Sequence, residues 1–105
     1  MSKYVLAYHG GGGMAQDEAA RDQIMAAWTA WFQEVGQGLV DGGNPIGRTM
    51  TIDSGGMADG GGANPMTGYS IIEAGSMDDA VRLAKGCPII AAGGSIEVAE
   101  TFDVM

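Results

Sequence analysis

Glycine is concentrated in clusters that divide this chain into short segments. The chain contains 19 glycines among 105 residues, against a usual share of roughly 7%. The clusters lie at 10–13, 42–43, 55–56, 60–62 and 93–94, between apolar stretches. Because glycine adopts positive φ at little steric cost, such clusters favour tight or unusual turns. The chain is therefore predicted to consist of short strands and helices joined by tight loops.

Length, charge and composition exclude several classes of function. A chain of 105 residues and 10.7 kDa is predicted to form one domain over 1–105. Its net charge of −8 argues against nucleic acid and against anionic membrane surfaces as partners. One cysteine gives no internal disulfide framework, and one histidine gives no site built from several imidazoles. Without an apolar run of ~20 residues or a secretory signal, the expected location is the cytoplasm.

Two segments have the spacing of amphipathic helices. The first is predicted from Asp17 to about Gly36. Its apolar stripe consists of Ile24, Trp28, Trp31 and Val35. The second begins at Ser76, where Asp79 stands three residues on in a capping-box arrangement. Gly86 and Pro88 are predicted to stop it.

The remaining apolar segments favour strands. The predicted strands are Lys3–His9, Arg48–Asp53, Met57–Asp59, Gly68–Ala74 and Ser95–Thr101, with an extended, turn-interrupted segment at Leu39–Ile46. The order β-α-β-β-β-α-β predicts an α+β fold, a ferredoxin-like antiparallel sheet with two helices on one face. Lys3–His9 and Gly68–Ala74 are apolar on both faces. Since two helices cover one face only, a homodimer is predicted to cover the other.

His9 is the candidate general base. A neutral imidazole serves as a base near pH 7 when a carboxylate fixes its tautomer. Asp41 is the predicted orienting carboxylate, because it begins the loop at the same end of the sheet, and Asp59 is the alternative. A histidine at a strand end also commonly has only a structural role, so that interpretation stays open.

The glycines after His9 match two known motifs incompletely. His9–Gly13 is similar to the HGGG oxyanion loop of esterases, but the chain has no G-x-S-x-G nucleophile elbow. Gly10-x-Gly12-x-x-Ala15 matches a dinucleotide fingerprint, but a doubly wound sheet does not fit in this length. The two interpretations that remain are a flexible connection and the lining of a small-ligand pocket. Neither a cofactor nor a metal ion is expected.

Two similar loops lie within the extended segment Leu39–Ile46 and after the predicted strand Met57–Asp59. Residues 41–45 and 59–65 both run from Asp-Gly-Gly to Asn-Pro, a composition that caps turns or presents polar side chains to a cavity. In a ferredoxin-like sheet the end of the first strand and the start of Gly68–Ala74 share an edge. The predicted ligand-binding residues around that edge are Gly11, Gly12, Trp28, Asn44, Asn64 and Tyr69. Trp28 and Trp31 are expected to roof the site or simply to pack in the core, and Cys87 is expected to be inert.

The chain resembles the YCII-related proteins, in particular the DGPF-domain branch. The resemblance rests on KYVLAYHG, MADGGGANPMTGYSIIEAGSMDDAVRLAKGCP and GGSIEVAE. The chain departs from the branch at Gly61 and Gly62, where the branch has Pro and Phe. The resemblance implies a dimeric α+β barrel and acid–base chemistry through a His-Asp pair, to which His9 and Asp41 correspond. It therefore implies a small enzyme acting on a small organic molecule. The alternative is a non-catalytic ligand-binding or regulatory module, because some relatives are associated with sigma factors.

Overall fold

A computed structural model describes residues 1–11 and 17–104 of the chain. The strands are β1 (Ser2–His9), β2 (Leu39–Asp41), β3 (Met50–Asp53), β4 (Gly56–Asp59), β5 (Met66–Ala74) and β6 (Ser95–Glu100). The helices are α1 (Glu18–Val35), α2 (Met77–Ala84) and the short α3 (Pro88–Ala91), with a 3₁₀ turn at Gly36–Gly38. No helix in this part of the chain combines the length and the apolar character needed to cross a membrane.

Four strands form an antiparallel sheet in the order β2-β5-β1-β6. This order, with α1 between β1 and β2 and α2 between β5 and β6, is the predicted ferredoxin-like arrangement. The core on the helix side joins residues of β1 and β5 to residues of all three helices. The α+β fold and the placement of the helices on one face of the sheet are therefore confirmed.

The first helix begins and ends where the sequence predicts. The Asp17 carboxylate accepts a hydrogen bond from the backbone N–H of Ala20, and Gly36 ends the helix with φ of 64°. Of the predicted apolar stripe, Trp31 and Val35 are buried, whereas Ile24 is 45% exposed. The C-terminal half of α1 therefore packs on the sheet, and its N-terminal half presents apolar surface to solvent.

The connection after α2 differs from the prediction. The Ser76 hydroxyl caps α2 by accepting from the backbone N–H of Asp79, and the helix ends at Ala84, before Gly86. Pro88, predicted only to stop this helix, also occupies the first turn of α3. Proline suits that position, because the first-turn N–H has no intrahelical acceptor. The extra helix buries Ile89 in the core.

The two faces of the sheet differ in how fully they are covered. On β1, Tyr4, Leu6 and Tyr8 point under the helices and are at most 4% exposed. Val5 and Ala7 point to the opposite face and are only half-buried. We call that opposite side, formed by the alternate residues of β1, β5 and β6, the open face of the sheet.

β3 and β4 form a separate two-stranded hairpin. Its pairing aligns Ile52 with Met57, and every residue of both strands is exposed. The predicted hairpin is confirmed, with strands that begin at Met50 and Gly56. The Cα radius of gyration is 15.1 Å, whereas a compact chain of this length has a radius of about 13 Å. The hairpin therefore extends away from the packed body rather than adding to its core.

Candidate active site

His9 lies at the end of β1 with its side chain on the open face. Its side chain is only 6% exposed, because the segment that leads into β5 lies against it. Nδ1 is 3.1 Å from the carbonyl oxygen of Pro65. A carbonyl oxygen only accepts hydrogen bonds, so Nδ1 carries a proton and donates it there. In the neutral imidazole this leaves Nε2 as the basic nitrogen.

Glu97 is the carboxylate that contacts His9. It lies opposite Ala7 on β6, and its Oε1 is 2.6 Å from Nε2 of His9. The contact lacks the alignment of a hydrogen bond, so the buried Nε2 has no aligned partner within the described residues. A deprotonated Nε2 and a carboxylate both accept, so a hydrogen bond between them forms only when a proton enters the pair. The Glu97 side chain is 70% exposed, which makes it the solvent-facing member of the pair.

Tyr69 shares the open face with this pair. It lies opposite Ala7 on β5, on the side of β1 away from Glu97. Tyr69 is half-buried and diagonal to His9, a relation that puts Cα atoms roughly 7–8 Å apart across strands. Ile71 continues the same face one alternate residue further along β5. The pair is therefore flanked by a phenol and by apolar side chains.

The structure does not bring either predicted aspartate to His9. Asp41 aligns with Ile71, which aligns in turn with Val5, four residues before His9 on β1. Two strand spacings and four residues put the Cα atoms of Asp41 and His9 roughly 16 Å apart. The Asp41 carboxylate instead accepts from the backbone N–H of Gly43, as turn-capping aspartates do. Asp59, the alternative, lies 3.5 Å from the Nε atom of Arg48.

The predicted aromatic roof lies on the other face of the sheet. Trp28 packs edge-on against Tyr8, with ring centroids 5.4 Å apart, and also contacts Trp31 and Phe32. Tyr8 and His9 are consecutive strand residues and therefore point to opposite faces. The indole of Trp31 donates to the Leu83 carbonyl. The tryptophans therefore pack in the helix-side core, which was the alternative interpretation.

The remaining predicted ligand residues lie at various distances from the pair. Asn64 is exposed and directly precedes Pro65, whose carbonyl holds His9. Asn44 is also exposed and lies beside Gly68, at the outer edge of β5. Gly11, with φ of 73°, lies against Ile89 on the helix side. Gly12 falls outside the described residues.

A buried polar chain occupies the core beneath the open face. The Tyr8 hydroxyl donates to Ser70, and the Ser70 hydroxyl donates to the Gly42 carbonyl. Burial raises the pKa of Tyr8 well above its usual value near 10.0, and burial also raises the pKa of the Cys87 thiol. Both groups are therefore neutral at physiological pH. This agrees with the prediction that Cys87 is an inert packing residue.

Two grooves among the described residues lie away from His9. The larger, of about 540 Å³, lies between α1 and α3 and is lined by Trp31, Glu34 and Cys87 among others. The smaller, of about 210 Å³, lies on the β3–β4 hairpin. Across residues 1–11 and 17–104, no three His, Cys, Asp or Glu side chains are grouped so as to hold a metal ion. The His9–Glu97 pair reaches solvent through Glu97, because 70% of the Glu97 side chain is exposed.

Sequence reasoning missed Glu97, although one signal for it was present. In SIEVAE, Ile96 and Val98 alternate with Glu97, which places Glu97 on the face opposite to the core. The missing information was the pairing register of β6 with β1. That register puts Glu97 across from Ala7 and next to His9.

The fold and the site together define a class of protein, a ferredoxin-like α+β chain with a buried imidazole and an exposed carboxylate paired on the open face of its sheet. No protein-family model matches the chain, and no curated protein matches it in sequence. Among solved structures it is similar to 5-chloro-2-hydroxyhydroquinone dehydrochlorinase from Burkholderia phenoliruptrix, in complex with 2,5-dihydroxybenzoquinone. The TM-score is 0.58 at 20% identity, over 98% of this chain and 94% of that one. This likeness establishes the fold.

Proposed function

We propose that this chain is an acid–base enzyme that acts on a small hydroxylated ring compound through His9 and Glu97. The observation that carries the proposal is the contact between the buried Nε2 and the exposed Glu97 carboxylate. An imidazole and a carboxylate this close pass a proton between them readily once one enters the pair, because each stabilises the charge that the other acquires. The role predicted for Asp41 passes to Glu97 in this proposal.

The geometry favours different roles for Glu97 and His9 in the proton transfer. Glu97 is accessible, whereas His9 has its Nδ1 proton committed to the Pro65 carbonyl and its Nε2 buried. A proton taken from a bound hydroxyl by the Glu97 carboxylate passes to Nε2, 2.6 Å away. The products of this step are an imidazolium, a carboxylate and a deprotonated substrate. His9 thus stores the proton that Glu97 collects.

The proposed substrate class rests on the side chains beside the His9–Glu97 pair and on the solved structure of similar fold. Tyr69, Val5 and Ile71 offer a phenol and apolar surface beside the acid–base pair, a combination that suits a flat ring bearing hydroxyl groups. The dehydrochlorinase of similar fold is named for a chlorinated hydroxyhydroquinone and binds a dihydroxyquinone. We extend to this chain an action on a hydroxylated ring, here the removal of a hydroxyl proton.

The proposal includes a cytoplasmic homodimer of the YCII-related kind, composed of a single domain per chain. The half-buried apolar residues of the open face support the dimer, since a sheet with helices on one side requires cover on the other. The family assignment rests on the resemblance of the strand and loop motifs around His9 and Tyr69.

A ligand-stabilisation measurement with 2,5-dihydroxybenzoquinone tests the proposal. A bound ligand raises the melting temperature by mass action, so the wild-type protein should be stabilised in a concentration-dependent way. Glu97→Gln and His9→Gln should weaken this stabilisation. Asp41→Asn is the matched control, because its amide oxygen still accepts from the Gly43 N–H and the residue is remote from His9. Equal responses of Glu97→Gln and Asp41→Asn would contradict the role of Glu97.

Turnover of a chlorinated hydroxyhydroquinone, measured by chloride release, is the second arm. In that substrate one hydroxyl proton moves to the chlorine-bearing carbon, and removal of a second by the pair expels chloride with the bonding electrons and gives a hydroxyquinone. Loss of an acid–base group costs on the order of 10²–10⁴-fold in rate, and Glu97→Gln and His9→Gln should each show a loss of that size. A rate within twofold of wild type in both variants would contradict acid–base catalysis by the pair.

A non-catalytic ligand-binding or regulatory module is the second candidate. The observation that favours it is the openness of the site, because neither described groove encloses His9. Stabilisation of the protein by the quinone without turnover of the hydroxyhydroquinone is the outcome that supports this function over catalysis.

A further inference from the structure

We propose that a second copy of this chain completes the His9–Glu97 site, with its β3–β4 hairpin lying over the open face of the first copy. The inference rests on the homodimer of the proposed function and adds the element that closes the site. It follows from two unpartnered surfaces of one chain, the hairpin and the open face, and from a site that lacks an outer wall.

The hairpin is the first unpartnered surface. Ile52 and Met57 are cross-strand neighbours, 75% and 68% exposed, so they present a joint apolar patch. An isolated two-stranded hairpin is at best marginally stable in water. A hairpin that keeps its apolar pair uncovered is therefore expected to gain its stability by packing against another surface.

The open face is the second unpartnered surface. Val5, Ala7 and Ile71 are half-buried there without a covering element among residues 1–11 and 17–104. Four strands about 4.8 Å apart and six residues long give a face on the order of 400 Å². A stable interface takes about 800 Å² from each partner. Face-to-face contact of two sheets falls short of that area, and the hairpins supply additional contact.

Charge also fits this pairing. Arg48, at the base of the hairpin, is 76% exposed in its side chain, and its contact with Asp59 is a loose 3.5 Å. The hairpin also carries Asp53 and Asp59, and on the open face Glu73 pairs across strands with Lys3. Glu97, with 70% of its side chain exposed, is therefore the acidic group that remains for Arg48. Across a two-fold axis each hairpin meets the face of the other copy, so both contacts form twice. The favourable charge contact is therefore the one between Arg48 of one copy and Glu97 of the other.

The position of the hairpin within the chain connects it with the site. The segment between β4 and β5 contains Pro65, whose carbonyl holds His9, so the base of each hairpin lies beside its own copy's site. A two-fold axis parallel to the strands brings the two His9 ends to the same end of the dimer. The hairpin of one copy then lies over the site of the other, where it forms the missing outer wall.

The experiment combines molecular mass with the NMR signal of the imidazole. His9 is the only histidine, so its ring protons give a single assignable signal. The wild type should sediment at twice 10.7 kDa. Ile52→Asp should sediment as the 10.7 kDa monomer, keep its folded spectrum, and show a shifted His9 signal. Met25→Asp is the control, because Met25 is 66% exposed on α1, and it should leave both readouts at their wild-type values.

Each alternative result has a defined meaning. A wild-type monomer would overturn both this inference and the proposed homodimer. A wild-type dimer whose mass and His9 signal are unchanged by Ile52→Asp would overturn the inference alone. Dissociation by Ile52→Asp with an unmoved His9 signal would also overturn it, since the hairpin would then hold the dimer without covering the site.

Discussion

The two faces of β1 differ in how fully the rest of the chain covers them. Tyr4, Leu6 and Tyr8 point to the helix side, where they are at most 4% exposed and pack in a core formed by the same chain. Val5, Ala7 and His9 alternate with them and point to the open face. Adjacent residues of this strand therefore alternate between the covered helix side and the open face.

The two faces also differ in how their buried polar groups are hydrogen-bonded. The helix side contains neutral polar groups that are fully hydrogen-bonded, as in the chain from Tyr8 through Ser70 to the Gly42 carbonyl. The open face contains a buried nitrogen without an aligned partner beside an exposed carboxylate. A polar group buried without a partner costs free energy, and such a cost is characteristic of sites that act on another molecule. The helix side accordingly folds the chain, and the open face is where ligand chemistry is expected.

The largest expected difference between the faces comes from two adjacent isoleucines on β5. Ile72 is fully buried on the helix side, whereas Ile71 is half-buried on the open face. Ile72→Ala should lower the free energy of unfolding by about 2–5 kcal/mol, because it leaves a cavity. Ile71→Ala should cost below about 1 kcal/mol in dilute protein. Urea denaturation of both variants checks this, and equal losses would remove the distinction between the faces.

Two tyrosines give a smaller contrast. Tyr8→Phe removes the donor to the buried Ser70 hydroxyl and should cost about 1 kcal/mol of stability. Tyr69→Phe, on the open face, should leave stability nearly unchanged and weaken the binding of 2,5-dihydroxybenzoquinone. Thermal unfolding with and without the quinone measures both effects. A larger stability loss in Tyr69→Phe than in Tyr8→Phe would reverse the assignment of the faces.

Alkaline pH should produce the smallest effect, and it acts on the helix side. Burial raises the pKa values of Tyr8 and Cys87 above their ordinary values of 10.0 and 9.0. The folded state therefore holds these protons more tightly than the unfolded state, so stability is complete below about pH 9 and falls as the pH rises above it. Tyr8→Phe should reduce this fall in a pH series of urea midpoints. A stability that rises with pH above 9 would contradict the burial of these groups.

The sequence is sufficient to predict the fold because its signals are local. The alternation in β1 and β5, the C-terminal half of the α1 stripe and the Ser76 cap each lie within a short window, and all were found in the structure. The site is less predictable because it depends on register. Asp41 and His9 lie on parallel strands and toward the same end of the sheet, but β2 aligns Asp41 with the middle of β5. Only the pairing of β6 with β1 reveals Glu97.

The tautomer of His9 in the free wild-type protein tests the central claim most directly. Long-range ¹H–¹⁵N correlation spectra of the single imidazole distinguish a protonated Nδ1 from a protonated Nε2. Because the Pro65 carbonyl can only accept, we predict that the neutral imidazole carries its proton on Nδ1 and leaves Nε2 free to accept one. A neutral form with the proton on Nε2 would contradict the proposed proton transfer between Glu97 and His9.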